Sequence, residues 1–573
     1  MSEITWNQEV DVLVVGSGNG GMTAAICAKQ MSGNDDVLVI EKTEEFGGTS
    51  GVSGGGVWVP NNRYAQAAGA QDSIDDARDY LKSTIPSGAV PEELIESYLE
   101  NSPKVIDYLH NNTSYVRYIS LGQYPDYYMN NPGARAGHRS MEPEPINKSE
   151  LGDEYTRIRS THHMIYMMNR IPMTQVEAHE IMTNAPGSKW MLTKLFLKYA
   201  LDIPWRLKDK QDRRLTCGSA GTTRLYLSLK EKNIPMLFNC ALRDLISDES
   251  GAVIGVEAEY NGKSHFIKVN KGVVLAAGGF EQNQALREQY LPQPTSTRWS
   301  GGVKSNTGDA LQAALKLGAK TRLMNGAWWC TTVTAPDEVA PRLSIMEKSL
   351  PGSCVVNKQG KRISNESQNY MAYQLEYFAS HSEDASNYPS YMIFDATFRK
   401  NYFVGPLLKA AMRPDKSLPK SYFDEGFLAI ADDIKELANK TGIDEQGLND
   451  TIERLNEYAK TGKDIEHQRG DTEYDRYYGD ESVTPNPCLA AIETGPFYAM
   501  KIDPGDFGTH GGLEINTDAQ VLSESGAPIK GLYATGNCAA AILPTYPGPG
   551  ATLGPAMTFG YQAAKHITQF NDA

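Results

Sequence analysis

Uninterrupted apolar runs, rather than strict alternation, dominate the polarity pattern of this chain. Residues 12–15 and 37–40 are each four consecutive aliphatic side chains, the pattern of strands buried on both faces of a parallel sheet. Between them residues 22–28 are mostly small and apolar and predict a buried helix, so residues 11–41 read as strand, helix, strand. The strand signature recurs at residues 272–275 and 531–534, ending each time in small residues: Ala276-Ala277-Gly278-Gly279 and Thr535-Gly536-Asn537. Residues 354–356 and 362–363 predict two short strands around the turn Asn357-Lys358-Gln359-Gly360-Lys361. Residues 432–458 are amphipathic, Asn306-Thr307-Gly308-Asp309 is turn-like, and an apolar run from Ala556 predicts a helix with Pro555 in its first turn.

The junction of the first strand and helix is Gly16-Ser17-Gly18-Asn19-Gly20-Gly21. Gly16 makes the turn, Gly18 lets backbone approach a pyrophosphate, and Gly21 lets helix and strand pack closely. The second strand ends at Glu41, about where an acid binds a ribose hydroxyl. This is a dinucleotide-binding unit. A glycine-rich segment follows directly, Phe46-Gly47-Gly48-Thr49-Ser50 and Ser53-Gly54-Gly55-Gly56, and favours FAD over NAD. No second fingerprint of this kind occurs, which argues against a separate nicotinamide site.

At 573 residues the chain is too long for one core, so two or three domains are expected. The net charge of −15 argues against a nucleic-acid partner. Seven scattered cysteines without a CxxC pair suggest a reducing compartment and no disulfide framework. The ten histidines show no metal-ligand spacing, so no metal is expected. No secretory signal is visible and no apolar run reaches the roughly 20 residues of a membrane span, so a cytoplasmic location is expected.

The chemistry-bearing candidates are tyrosines. In Thr545-Tyr546-Pro547-Gly548-Pro549-Gly550 the Tyr546 phenol and the Gly550 N–H can converge on one carbonyl oxygen, an oxyanion-hole arrangement. The helix beginning just beyond would point its positive end at a reduced flavin. Tyr127 lies in Tyr124-Pro125-Asp126-Tyr127-Tyr128, and Tyr370 follows Asn365-Glu366-Ser367, with Tyr373 an equally placed rival. His510, among glycines, reads as structural.

The glycine segments and strand ends resemble the FAD-binding half of the fumarate reductase-like flavoproteins. That resemblance implies an α/β fold: a Rossmann-like FAD-binding domain (residues 1–305 and 488–573) with an inserted α+β catalytic domain (306–487). It implies cofactor contacts from Gly16, Ser17, Gly18, Gly21, Glu41, Lys42, Gly48, Thr49, Ser50, Gly54, Ala277, Gly278, Gly536, Asn537, Thr552 and Leu553, with Ala241 near the adenine. The three tyrosine motifs together resemble the 3-ketosteroid Δ1-dehydrogenases. By that resemblance Tyr546 and Gly550 bind the substrate's C3 carbonyl, Tyr370 as phenolate takes the C2 proton, Tyr127 hydrogen-bonds Tyr370, and the C1 hydride goes to flavin N5. A free tyrosine titrates near pH 10, so Tyr370 needs hydrogen bonds to its charged form. The electron acceptor is named by no motif.

Residues 160–213 read as an insertion into that pattern. Methionines crowd it, and a helix is predicted from Ser188 to before Pro204. Leu192, Leu195, Phe196 and Tyr199 form one apolar face, and Trp190, Leu197 and Leu201 another. Residues 189–210 hold six basic and two acidic side chains, +4 in an acidic protein. An interfacial helix on an anionic membrane and a helix buried against another domain or subunit both fit. The membrane version suits a cholest-4-en-3-one-type substrate drawn from a bilayer. Alternatives to Δ1-dehydrogenation are a Δ4-(5α)-3-ketosteroid dehydrogenase, a fumarate reductase-like enzyme, or a flavin-binding membrane adaptor.

Overall fold

The computed structural model describes residues 4–383 and 385–569. Its first sheet has eight strands. The apolar strands Gln8–Val15 and Val37–Ile40 lie side by side in it, with Lys263–Leu275 on the far side of Gln8–Val15. All are parallel, as the unbroken apolar runs require. Met236–Leu237 extends the sheet beyond Val37–Ile40, and Pro528–Ala534 joins the last residues of Lys263–Leu275, also in parallel. Val253–Tyr260 and Cys240–Ser247 continue it antiparallel beside the first half of Lys263–Leu275.

The register decides where a ligand can sit. Val15 pairs with Leu275 and with Ile40, and Leu275 pairs with Ala534, so four parallel strands end on one line. Ligands of open parallel sheets bind beyond such carboxyl ends. Gly16, Glu41, Ala276 and Thr535, each the next residue after a strand, therefore stand together on one edge.

The helix Asn19–Ser32 covers one face, and its first ten residues are buried. The last helix, Leu553–Gln569, packs along it. That helix starts three residues before the predicted Ala556: the N–H groups of Leu553 and Gly554 both bond the Gly550 carbonyl. Pro555 is its third residue, still in the first turn, where no donor is lost.

A second, six-stranded sheet is antiparallel throughout. Its long strand Phe497–Thr509 pairs with Ala327–Val333 through its second half and with Ser390–Asp395 through its first. Ser353–Val356 forms as expected, whereas Arg362 makes only a single bridge to Val356. The amphipathic stretch becomes two helices, Ile434–Thr441 and Glu445–Thr461, separated at the left-handed Gly442. The chain rejoins the first sheet at Gln520–Leu522 and Pro528–Ala534, later than residue 488, because Phe497–Thr509 is shared out among strands of the second sheet.

The segment 160–213 touches distant parts of the chain, Gln175 donating to the Gly54 carbonyl and Asn184 to Asp480. Its helix Ser188–Leu201 packs on the shorter helix Gln175–Met182. Leu195 is 6% exposed and Leu192, Phe196 and Tyr199 are half-buried, so that face turns inward. The other face is open: Trp190 is 61% exposed, Leu197 50% and Leu201 74%. No helix among the described residues is long and apolar enough to cross a membrane.

Candidate active site

One cleft runs from the sheet edge to the tyrosine motifs. At the sheet end Gly16 adopts φ +107°, and a Cβ there would meet the Ala276 carbonyl oxygen at 2.3 Å. Only glycine closes this turn. The helix Asn19–Ser32 begins at Gly18 with no side-chain cap. Asn19 N donates to Ser50 Oγ at 3.1 Å, and Asn19, Gly20 and Gly21 of this first turn line the cleft, the kind of helix start that takes a pyrophosphate.

The Glu41 carboxylate is buried and accepts from Ser17 N (3.2 Å), Ser17 Oγ (2.5 Å) and Thr43 N (3.0 Å). These bonds fix it at the strand end. Lys42 reaches across to Thr307 Oγ1 at 2.8 Å and Asp309 at 2.7 Å, which clamps the 305–309 turn over the cleft. Asn306 in that turn donates to Thr49 Oγ1 (3.0 Å) and to the buried Glu281 (2.7 Å). Burial raises the Glu281 carboxyl to about 7.

The Tyr546 loop is held by its carbonyls. Thr545 O accepts from Tyr128 Oη (2.7 Å), Pro547 O from Tyr127 N (2.8 Å) and Tyr80 Oη (2.5 Å), and Pro549 O from Ser140 Oγ (2.8 Å). These bonds hold Tyr546 at φ +57°, a left-handed conformation that a bulky residue keeps only when its surroundings impose it. Gly550 has φ +96°, and a Cβ there would lie 2.3 Å from the Gly56 carbonyl. The loop is thereby pressed against the glycine-rich segment. Asp126 braces the opposite wall from beneath, accepting from Trp58 Nε1 and Arg139 at 2.8 Å each.

Three phenols meet above this loop. Tyr127 Oη donates to Tyr370 Oη at 3.0 Å, and the two rings are 5.4 Å apart. Tyr546 stacks on Tyr127 at 5.6 Å and lies 5.5 Å from Tyr370. Trp328 and Phe507 complete the wall around Tyr546. Tyr370 is the first residue of the helix Tyr370–Ala379, placed there by Asn369, whose side chain caps Ala372 N at 2.8 Å. Burial pushes the Tyr370 phenol well above its ordinary value, the neighbouring phenols add to this, and the bond from Tyr127 opposes it. Burial also raises Tyr546, and its neighbours Tyr370, the Gly550 backbone and Thr552 oppose the rise. Tyr546 and Gly550 both line the cleft.

All but one of the residues proposed from the sequence line this cleft. The exception is Ala241. Its neighbours Cys240 and Leu242 form the wall and Ala241 does not, because successive side chains of a strand face opposite ways. Tyr370 lines the cleft, whereas Tyr373 belongs to the core of the second sheet, with Lys348 over its ring. His510 is buried under Trp328, 5.1 Å ring to ring, and against Gly326; burial lowers its imidazole to about 3. Tyr124, His162, Gln175, Asn306, Trp328 and Phe507 also line the cleft. No local pattern marks them except the tyrosine cluster around Tyr124 and the turn at Asn306. No group of three or more metal-ligating side chains occurs among the described residues.

This geometry coincides with a family. The FAD binding domain family matches residues 11–553. A 3-oxosteroid 1-dehydrogenase of Mycolicibacterium smegmatis is 37% identical over 98% of this chain and 97% of its own length. A 4-oxocyclohexanecarboxylate 2-dehydrogenase of Sinomonas cyclohexanicum is 35% identical over 97% of this chain and 92% of its own. The crystal structure of 3-ketosteroid Δ1-dehydrogenase from Sterolibacterium denitrificans, in complex with 1,4-androstadiene-3,17-dione, superposes with a TM-score of 0.94 at 42% identity, covering 99% of this chain and 100% of that one. FAD fits the uncapped helix, the glycine turn and the ribose acid described above. The chain belongs to the FAD-binding flavoprotein family, in the branch that holds the 3-oxosteroid 1-dehydrogenases.

Proposed function

We propose that this enzyme introduces the 1,2 double bond of 3-ketosteroids, turning a 3-oxo-4-ene into a 3-oxo-1,4-diene. The observation that carries the reading is the Tyr127–Tyr370 hydroxyl pair, 3.0 Å apart and in the same cleft as the Tyr546 hydroxyl and Gly550 N–H. Two donors on the C3 carbonyl stabilise enolate character and so acidify C2. Tyr370, deprotonated, takes the C2 proton. Tyr127 donates to it and lowers the cost of its charge. Bound FAD supplies the two-electron acceptor. The strand ends and glycine turns hold that cofactor, and the aromatic walls exclude water from the reacting carbons.

The cleft lining also supports a neutral, apolar substrate. Its one lysine, Lys42, is engaged with Asp309, and no arginine is on the lining. A small carboxylate or a dicarboxylate would have no guanidinium clamp beside the tyrosines. Incubating the FAD-loaded protein with 4-androstene-3,17-dione, cholest-4-en-3-one or 4-oxocyclohexanecarboxylate, with an artificial electron acceptor, separates the choices. The expected product is the 1,4-diene from the steroids. Turnover of the carboxylate alone overturns the assignment.

The exposed face of the helix Ser188–Leu201 extends this reading to a lipid surface. Trp190, Leu197 and Leu201 continue into the exposed Ile203 and Leu207. Basic residues flank them with a net +4. Such a face suits the boundary of an anionic bilayer. A cholest-4-en-3-one-type substrate, which resides in membranes, would be collected there.

A further inference from the structure

We propose that Tyr124 is a positioning residue for the Tyr127–Tyr370 pair, and that the 160–213 segment holds it in place through His179. The proposal rests on the reading of Tyr370 as the base. The Tyr124 hydroxyl lies 3.5 Å from that of Tyr127 and shares a short hydrogen bond with that of Tyr478. Tyr127 in turn donates to Tyr370. Four hydroxyls thus stand in file: Tyr478, Tyr124, Tyr127, Tyr370. When Tyr370 carries a negative charge, each phenol can turn its O–H toward the next oxygen. Buried hydrogen bonds in such a chain reinforce one another.

The Tyr124 ring is fixed from behind. Tyr477 stacks on it at 4.8 Å and 20°, and His179 stacks on Tyr477 at 4.0 Å and 13°. His179 Nε2 donates to the Tyr477 carbonyl at 2.6 Å. A carbonyl only accepts, so the ring carries its proton on Nε2, and burial holds the imidazole below its ordinary value. His179 sits on the helix Gln175–Met182, whose start is set by a Thr174–Glu177 capping box. In the first turn of that helix, Gln175 donates to the Gly54 carbonyl at 2.9 Å. One short helix of the insertion is therefore tied to the cofactor-side glycine segment and to the tyrosine cluster.

The other titratable groups around the file are mostly neutral phenols: Tyr474, Tyr477 and Tyr546. The Cys330 thiol and Asp475 act on Tyr474, Glu142 on Tyr477, and Glu180 and Glu481 on His179. Burial raises the Tyr124 phenol to about 12, and its bonds with Tyr127 and Tyr478 oppose that rise. Deletion of the whole insertion would remove cleft wall at His162 and Gln175, so point variants are the proper test.

The test is the pH dependence of kcat for full-length, FAD-loaded variants. Tyr124→Phe is expected to lower kcat at pH 7 about tenfold and to move the rising limb of log kcat up by about 1 pH unit, with KM and the flavin spectrum unchanged. His179→Ala is expected to shift the limb the same way by less. His179→Phe, which keeps the stack on Tyr477, is expected to recover part of that shift. The double variant is expected to be no worse than Tyr124→Phe alone, as for residues acting through one chain. A lower kcat with an unmoved limb, or full additivity, overturns the proposal. Tyr370→Phe is run beside them. If it keeps turnover, the base assignment itself fails; if it abolishes turnover while Tyr124→Phe leaves the limb in place, only the present proposal fails.

Discussion

The Tyr127 hydroxyl donates to the Tyr370 hydroxyl across 3.0 Å, although 243 positions of sequence separate the two residues. One comes from a loop anchored by Asp126 on Trp58 and Arg139, the other from a capped helix start in the second half of the chain. Their meeting makes one phenol a hydrogen-bond donor to the other.

The pH dependence of turnover should show it. Burial puts the Tyr370 phenol well above its ordinary value, and only the deprotonated form abstracts a proton. The active fraction therefore rises about tenfold per pH unit below that value, and log kcat is expected to climb through neutral pH and to level off only at alkaline pH. Tyr127→Phe removes the donor that favours the charged form. Its limb should move to higher pH, with kcat at pH 7 down by about 10-fold or more. A flat profile, or a variant with the wild-type limb, would place the base elsewhere.

Gly550→Ala is expected to be severe. The new methyl would lie 2.3 Å from the Gly56 carbonyl at a φ of +96°, so the Tyr546 loop must move. Loss of one aligned donor costs roughly 10²–10³ in kcat. Steady-state kinetics should show at least that loss, with a lower Tm because the loop's backbone anchors are disturbed. Wild-type kcat in this variant would mean that the loop does not serve the carbonyl.

Glu41→Ala tests the cofactor end separately. The carboxylate gathers Ser17 and Thr43 at the strand end, and a ribose hydroxyl would add to these bonds. A charge-assisted hydrogen bond contributes about 1.5–3 kcal/mol, so FAD should bind roughly 10- to 100-fold more weakly by flavin-fluorescence titration. Unchanged affinity would remove Glu41 from the cofactor site.

The lipid-facing assignment is tested with Trp190→Ser, Leu197→Ser and Leu201→Ser combined. These side chains are exposed, so the fold should be kept and Tm hardly changed. Flotation with anionic phospholipid vesicles should drop sharply, and more for this variant than for one altered at buried Leu195. Equal flotation of variant and wild type, or a change in oligomeric state without any flotation of the wild type, would reassign the face to another subunit.

The cofactor half was legible because its chemistry is local. Gly16, Gly18, Gly21 and Glu41 lie within 26 residues, and short-range spacing encodes turn, helix start and strand end. Ala241 missed the wall by strand parity, a matter of one residue. The catalytic end was legible only through resemblance to a family. Nothing near Tyr370 or Tyr373 in the sequence tells which of two tyrosines, one helical turn apart, faces a cleft. Gln175, His162 and His179 carry no pattern at all: folding of the insertion alone puts the first two on the cleft and the third against Tyr477. The insertion's two apolar faces were readable from helical period, but which one stayed open depended on packing against Gln175–Met182.

Anaerobic mixing with a 3-oxo-4-ene steroid tests the central claim most directly. Wild-type protein loaded with FAD is expected to lose its flavin absorbance within one turnover and to release one equivalent of the 1,4-diene. Tyr370→Phe, with an unchanged oxidised flavin spectrum, is expected to bleach about 10²–10⁴-fold more slowly. Absence of bleaching in the wild type, or bleaching of Tyr370→Phe at the wild-type rate, would contradict the assignment of Tyr370 as the residue that takes the C2 proton.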